Sequence, residues 1–398
     1  MKNKFNDQCI TLSQMNLIFN MRIFWRRLTI WTRTYIISRY LGIGTAEVAF
    51  DRLYLENLNF GDLLRVVFSR GTAEQYSRLL NQFSIGLREL ISSQIENDAD
   101  AIRRNIDSLV ANANERAEFL ASINPYFNEA EWRDLLIRYL EYTMEEANLY
   151  ASKDYRMDIE YFDRLAALSN TMGDVFAQAW FDYITSGAQN ENISPDERCL
   201  TYEQINLIYD IRMFWFDLNN WTRAFMLSRY RDVGDEDEVY ARLQQVIADF
   251  INNLNSFFGE DAETELLRLR LTAYIGLIDS LITAQKAGNT EEADRITRLL
   301  YQNANDRATA IASLNPYWDE TEWKTRIYNN VRNSIDESTT FLTQDYARNL
   351  DIFSRLMDQS ENMSEYFADG LLNYMFHEPQ QQQEQEQEQQ PQPQPQPQ

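Results

Sequence analysis

Apolar residues near the start of the chain form a stripe spaced four and three: Leu17, Met21, Phe24, Leu28, Trp31 and Tyr35. That spacing is one face of an α-helix packed lengthwise against near-parallel neighbours, as in a bundle. A second stripe beside it carries Trp25 and Ile36, so the helix is expected to be the central member of its bundle. The pattern is written twice. Residues 11–41 reappear 190 positions later as 201–231, with Leu207, Ile211, Phe214, Leu218, Trp221 and Phe225 in the stripe and Trp215 and Met226 beside it. Each copy opens on T-x-x-Q (Thr11 with Gln14, Thr201 with Gln204), the spacing of a capping box.

The rest of each half follows the same order. After Gly42 and Gly44, one or two short helices are predicted over 45–69, then a helix over 73–96 carrying Tyr76, Leu79, Leu80, Phe83, Leu87, Leu90 and Ile91. A turn at Asn97-Asp98, matched by Gly288-Asn289, leads to a helix over 99–122. It ends at Asn124-Pro125-Tyr126-Phe127, mirrored by Asn315-Pro316-Tyr317-Trp318, because proline holds the residue before it extended. Asn128 with Glu131, and Asp319 with Glu322, restart the chain with cap spacing ahead of Trp132 and Trp323. One long helix, or two with a break near Thr143, then runs to about residue 186.

The offset grows from 190 at Trp25/Trp215 to 191 at Trp132/Trp323, and the extra residue is assigned to the 97/288 turn. The expected organisation is a polar arm (1–8), a bundle (9–186), a linker (187–198), a second bundle (199–377) and a tail (378–398). The tail contains only Gln, Glu and Pro and is expected to be disordered, partly polyproline II.

Composition narrows the class. Twelve Gly and eight Pro, most of the latter in the tail, are too few for the turns of a sheet, so the body reads as all-α with two tandem, homologous bundles. A net charge of −24 opposes nucleic-acid binding. One basic stretch stands out: Lys2, Lys4, Arg22, Arg26, Arg27, Arg33 and Arg39 against Asp7 alone. It reads as an outward face docking on acidic surface. Arg26 and Arg27 align with Phe216 and Asp217, so the second half is the expected partner in an intramolecular pseudo-dimer, the competing account being neutral drift on two solvated faces. Cys9 and Cys199, at equivalent positions, read as usage in a reducing compartment without a disulfide. The start of the chain lacks the apolar core of a signal peptide, and no apolar run reaches about 18 residues, so no membrane partner and a cytoplasmic location are expected.

No catalytic motif is present. Phosphate loops, dinucleotide fingerprints and C-x-x-C are all missing, and the single histidine, His377, adjoins the tail. No catalytic residue, metal ligand or cofactor is assigned. Polar residues held in both halves include Arg33/Arg223, Glu146/Glu337 and Asp154/Asp345, a candidate buried polar network. Its functional version makes the carboxylates ligands inside the bundle; its structural version makes them Arg partners that fix helix register, and this is preferred. Trp25, Trp31 and Trp132 with Trp215, Trp221 and Trp323 read as core aromatics.

With these motifs in hand, the repeat resembles a small, uncharacterised, single-copy helical family of spore-forming Firmicutes, some members of which are labelled "acetylglutamate kinase". The resemblance rests on W-x-x-x-x-x-W-T-R (Trp25 to Arg33), N-A-N-x-R-A (Asn112 to Ala117) and A-G-N-T-x-E-A-D (Ala287 to Asp294). It also rests on N-P-Y-[FW]-x-E-x-E-W (Asn124 to Trp132, Asn315 to Trp323). Amino-acid kinases are α/β proteins with glycine-rich loops, which this chain lacks. The resemblance implies a ferritin-like bundle with histidines on three helices. The matching slots hold Leu28 and Leu218, Phe83 and Tyr274, and Tyr139 and Asn330, so those imidazoles are gone here. The expected function is a non-enzymatic scaffold or interaction protein with a protein partner or self-association, in the cytoplasm or associated with the spore. The alternative is a ferritin-like metal- or small-ligand protein using bundle carboxylates.

Overall fold

In the computed structural model, residues 5, 9–186, 199–260 and 262–388 are described, with side chains as far as 377. Twelve α-helices account for nearly all of them, and no sheet strand occurs among the described residues. The chain divides into two units, Met1–Ile205 with Tyr346–Leu350, and Asn206–Asp345 with Asp351–Gln398.

Helix α1 (Leu12–Leu41) starts at the capping box: the Thr11 hydroxyl accepts from the Gln14 N–H while the Gln14 amide accepts from that of Thr11. It ends where Gly42 turns left-handed, with φ 61°. Buried residues occur on every side of it, from Met15 and Ile18 to Tyr35 and Ser38. The reason is placement. Helix α1 packs against α2 (Ala46–Leu64), α3 (Arg70–Glu96), α5 (Glu129–Ser152) and α6 (Tyr155–Thr185), while α4 (Ala99–Ile123) closes the ring between α3 and α5.

The break predicted near Thr143 lies ten residues later. Thr143 is buried inside α5, and the chain turns at Lys153, φ 63°, with Asp154 capping α6 through Met157 N–H. Polar residues in a helix interior do not break it when they find partners; Thr143 Oγ1 donates to the Tyr139 carbonyl.

The second set repeats the order: α7 (Tyr202–Arg231), α8 (Glu236–Phe258), α9 (Ala262–Lys286), α10 (Thr290–Ser313), α11 (Glu320–Leu342) and α12 (Tyr346–Glu388). Gln204 and Thr201 exchange the same cap bonds at the start of α7. Buried positions locate the extra residue. Those of α8 (Val239, Leu243, Phe250, Leu254) fall 190 after those of α2 (Ala49, Leu53, Phe60, Leu64). Those of α9 (Leu267, Leu271, Tyr274, Ile278) already fall 191 after those of α3 (Tyr76, Leu80, Phe83, Leu87). The extra residue therefore lies between Leu254 and Leu267 of the second half, not at the 97/288 turn. Helix α12 continues to Glu388, into the segment expected to be disordered, since Gln and Glu readily extend an existing helix. The proposed linker and the end of the tail lie outside the described residues, as does most of the N-terminal arm. Phe5 of that arm is 3% exposed and stacks on Tyr202.

Cys9 and Cys199 are joined in a disulfide, next to an antiparallel bridge between Ile10 and Leu200. The reading of two free thiols is corrected. Their position just ahead of matched helices leaves the two Cα atoms 5.0 Å apart, within disulfide reach. The linkage closes a loop of 190 residues. Unreduced protein denatured in detergent should therefore migrate faster on a gel than reduced protein, and Cys9→Ser should abolish the difference.

Two glycines test the packing. A Cβ on Gly173 of α6 would lie 2.6 Å from the Arg22 backbone nitrogen of α1, whereas one on Gly276 of α9 would meet nothing within 4 Å. Gly173→Ala should destabilise by about 1–3 kcal/mol through overpacking. Gly276→Ala should stabilise by about 0.5–1 kcal/mol through helix propensity. Urea denaturation of the two variants checks both signs.

Candidate functional site

The centre of the first unit is a charged cluster between α1, α5 and α6. Arg33 Nη1 donates to Glu146 Oε1 at 2.5 Å and to Asp158 Oδ1 at 3.0 Å, while Nη2 donates to Asp158 Oδ2 at 2.6 Å. All three residues are buried, and the guanidinium lies over the Phe162 ring. Burial works against the Arg33 charge, but Asp158 and Glu146 outweigh it and move its pKa upward. Burial drives the Glu146 carboxyl upward, aided by Asp158 and opposed by Arg33. Its second oxygen, Oε2, has no hydrogen-bond partner. The arrangement is a bidentate Arg–carboxylate fork with a second acid attached.

The second unit holds a related pair. Arg223 Nη1 donates to Glu337 Oε1 at 2.9 Å, and the guanidinium sits over Phe341 and Phe353. Asn349 stands where the repeat places Asp158. Burial raises the Glu337 carboxyl to about 7 despite Arg223 and lowers the pKa of Arg223 itself. Of the six network candidates, four meet in these pairs. Asp154 is instead the exposed cap of α6, and Asp345 is exposed just before α12. The member that replaces Asp154 is Asp158, one turn further on. A search for polar identity between the halves misses it because the matched position holds Asn349.

One turn toward the start of α1 lies a neutral polar layer. Thr29 Oγ1 is 3.1 Å from the Tyr139 hydroxyl and 3.0 Å from Ser169 Oγ. The matched layer uses different groups. Asn330 donates to Asn219 at 3.0 Å, and Asn219 donates to Ser360 at 2.8 Å. Two of the three histidine slots meet beside the layer in the first unit, where the Phe83 and Tyr139 rings are 6.2 Å apart. Above Phe83 lies the Arg116 guanidinium at 4.6 Å, and Arg307 takes the same place over Tyr274 at 4.4 Å. Burial lowers both arginines to about 10. These cation–aromatic stacks were not singled out as a site from the sequence, although Arg116 and Arg307 are held in both halves.

The basic stretch of α1 does not form a face. Arg22 is 2% exposed and bonds Asp174 and Tyr202, Arg26 is 5% exposed over Phe162, and Arg27 pairs with Glu56. Arg39 donates to Ser92. The expectation of an outward docking face at Arg26 and Arg27 is thus corrected: α1 is surrounded, so its cations are met by acids and rings of its own unit. Among the described residues, no three His, Cys, Asp or Glu side chains come together as metal ligands would.

The motif aromatics are core. Trp25, Trp31, Trp132, Trp215, Trp221 and Trp323 are each no more than 1% exposed. Trp25 meets Trp132, and Trp215 meets Trp323, both at 5.7 Å. The N-P-Y-[FW] motif is a clamp. Asn124 Oδ1 accepts from Tyr126 N–H while its amide donates to the Ala179 carbonyl of α6. Asn315 repeats this with Tyr317 and Gly370.

Arg33→Met should destabilise the first unit by about 3–5 kcal/mol, because two buried carboxylates lose their cation. Asp158→Asn, which puts at this position the residue found at 349, should cost about 1–3 kcal/mol through the weakened charge-assisted bonds to Arg33. A carboxyl whose pKa rises on folding contributes stability below its unfolded value, about 4.3, that is lost as pH climbs through about 7. Glu337→Gln should therefore be better tolerated at pH 8 than at pH 5, as read by urea denaturation at both.

No protein-family model matches the chain, and neither a curated protein nor a solved structure matches it significantly.

Proposed function

We propose that this protein is a non-enzymatic scaffold, built by tandem duplication of a ferritin-like bundle and acting through a protein partner. One observation carries the reading: the Arg33 guanidinium occupies the space between Glu146 and Asp158. A bundle that binds metal through facing carboxylates needs that space for the cation. Aromatic rings under Arg116 and Arg307 at the histidine slots support the same view.

The partner is cationic. Arg22, Arg26, Arg33, Arg116, Arg212, Arg223 and Arg307 are buried, so acidic groups dominate the surface beyond what a net charge of −24 conveys. No helix among the described residues is long and apolar enough to cross a membrane. The Cys9–Cys199 disulfide fits an oxidising setting, which favours spore association over a reducing cytoplasm.

The second reading, a carboxylate metal or ligand protein, is favoured only by the unpartnered Glu146 Oε2. Elemental analysis of protein purified without chelators separates the two. The scaffold reading expects well below one iron, zinc or manganese per chain, even after incubation with the metals. About one tightly held ion per unit, lost in Glu146→Gln, would replace it with the second reading.

A further inference from the structure

The first unit has an open cleft of about 420 Å³ that neither the charged centre nor the polar layer uses. It lies between α1, the start of α2 and the end of α3, and Tyr35, Arg39, Arg88 and Ser92 line it. Its donors are not satisfied by the protein. The Tyr35 hydroxyl is buried, in a residue only 1% exposed, with Ser92 as the polar group beside it, and Arg39 Nε is unpartnered. Ser92 cannot serve both: it accepts from Arg39 Nη2 and gives its proton to the Arg88 carbonyl. Arg88 lies 4.4 Å over the Phe50 ring, which fixes its plane. Its one ion pair among the described residues is a 3.5 Å contact with Glu47, whose side chain is 71% exposed. Such a contact is weak and easily displaced.

The second unit supplies the comparison. Arg229 stands for Arg39 and makes the same bond through Nη2, to Thr283 at 3.2 Å. Arg88 is replaced by Asp279, which accepts from Arg229 Nε at 2.9 Å, and Tyr35 is replaced by Phe225. Both donors left open in the first unit are therefore closed or removed in the second.

We propose that this cleft binds the oxyanion group of a small ligand, a carboxylate or a phosphate, between Arg39, Arg88 and the Tyr35 hydroxyl. Two guanidiniums and a phenol supply the planar, charge-assisted donors that such a group takes up. Glu47 and the exposed Glu89 at the rim exclude polyanions such as nucleic acid and select a single compact group.

The test uses full-length protein labelled with ¹⁵N-arginine, titrated with inorganic phosphate or with acetate at constant ionic strength. The Arg39 and Arg88 Nε–H signals should shift saturably, while that of the exposed Arg70 should not. Saturation by one anion alone assigns the group; saturation by both leaves the proposal intact. Arg88→Asp gives the first unit the second unit's pair, so it should fold and bind about 10- to 100-fold more weakly, the loss of one charge-assisted bond. Tyr35→Phe should weaken binding with packing unchanged. Asp279→Arg should make the Arg229 signal respond. Linear shifts shared with Arg70, or saturation unaffected by Arg88→Asp, would overturn the proposal.

Discussion

A helix with buried residues on every side can send few of its charges to water, and of the five arginines of α1 three, Arg22, Arg26 and Arg33, are buried. Much of the first unit follows from that constraint. Asp174 and Asp158 on α6, Glu146 on α5 and Glu56 on α2 are placed where the cations need them, and Phe162 lies under two of the guanidiniums. Breaking one of these pairs leaves a buried charge, whereas exchanging the whole pair for apolar residues is often neutral. Their value is therefore in fixing which helix sits against which, and at what register. Gly173 shows how closely: α6 approaches the Arg22 backbone until no side chain fits.

The two units solve one problem with different chemistry. Thr29, Tyr139 and Ser169 do the work that Asn219, Asn330 and Ser360 do in the matched layer, and the position of Asp158 beside Arg33 is taken by Asn349 in the second half. Side chains in such layers change together, since a lone substitution strands a buried donor or acceptor. What stays fixed is the hardware around them: the Thr–Gln caps, the Asn clamp on the neighbouring helix and the tryptophan pairs.

That division explains what the sequence disclosed. The central helix, its caps and the N-P-Y break were legible because each rests on local spacing or on one residue's conformational limits. The α5–α6 turn was not, since Lys153 in a left-handed turn has no composition signature and only Asp154 marks it. Arg33, Glu146, Arg223 and Glu337 were found by matching halves, and the same filter hid Asp158 because Asn349 differs. The Arg39–Arg88 cleft was illegible for a related reason: its meaning lies in how position 88 differs from Asp279. The arginine-rich stretch misled because charge along a sequence carries no sign of which way a side chain turns.

The Cys9–Cys199 bond also sets how the chain carries mechanical load. Tension applied between the two ends would pass through the sulfur bridge from residue 9 to residue 199, leaving residues 10–198 slack on a covalent bypass. The first bundle would stay folded under a pull that unravels helices α7 to α12, until a reductant opens the bridge and adds 190 residues of extensible length.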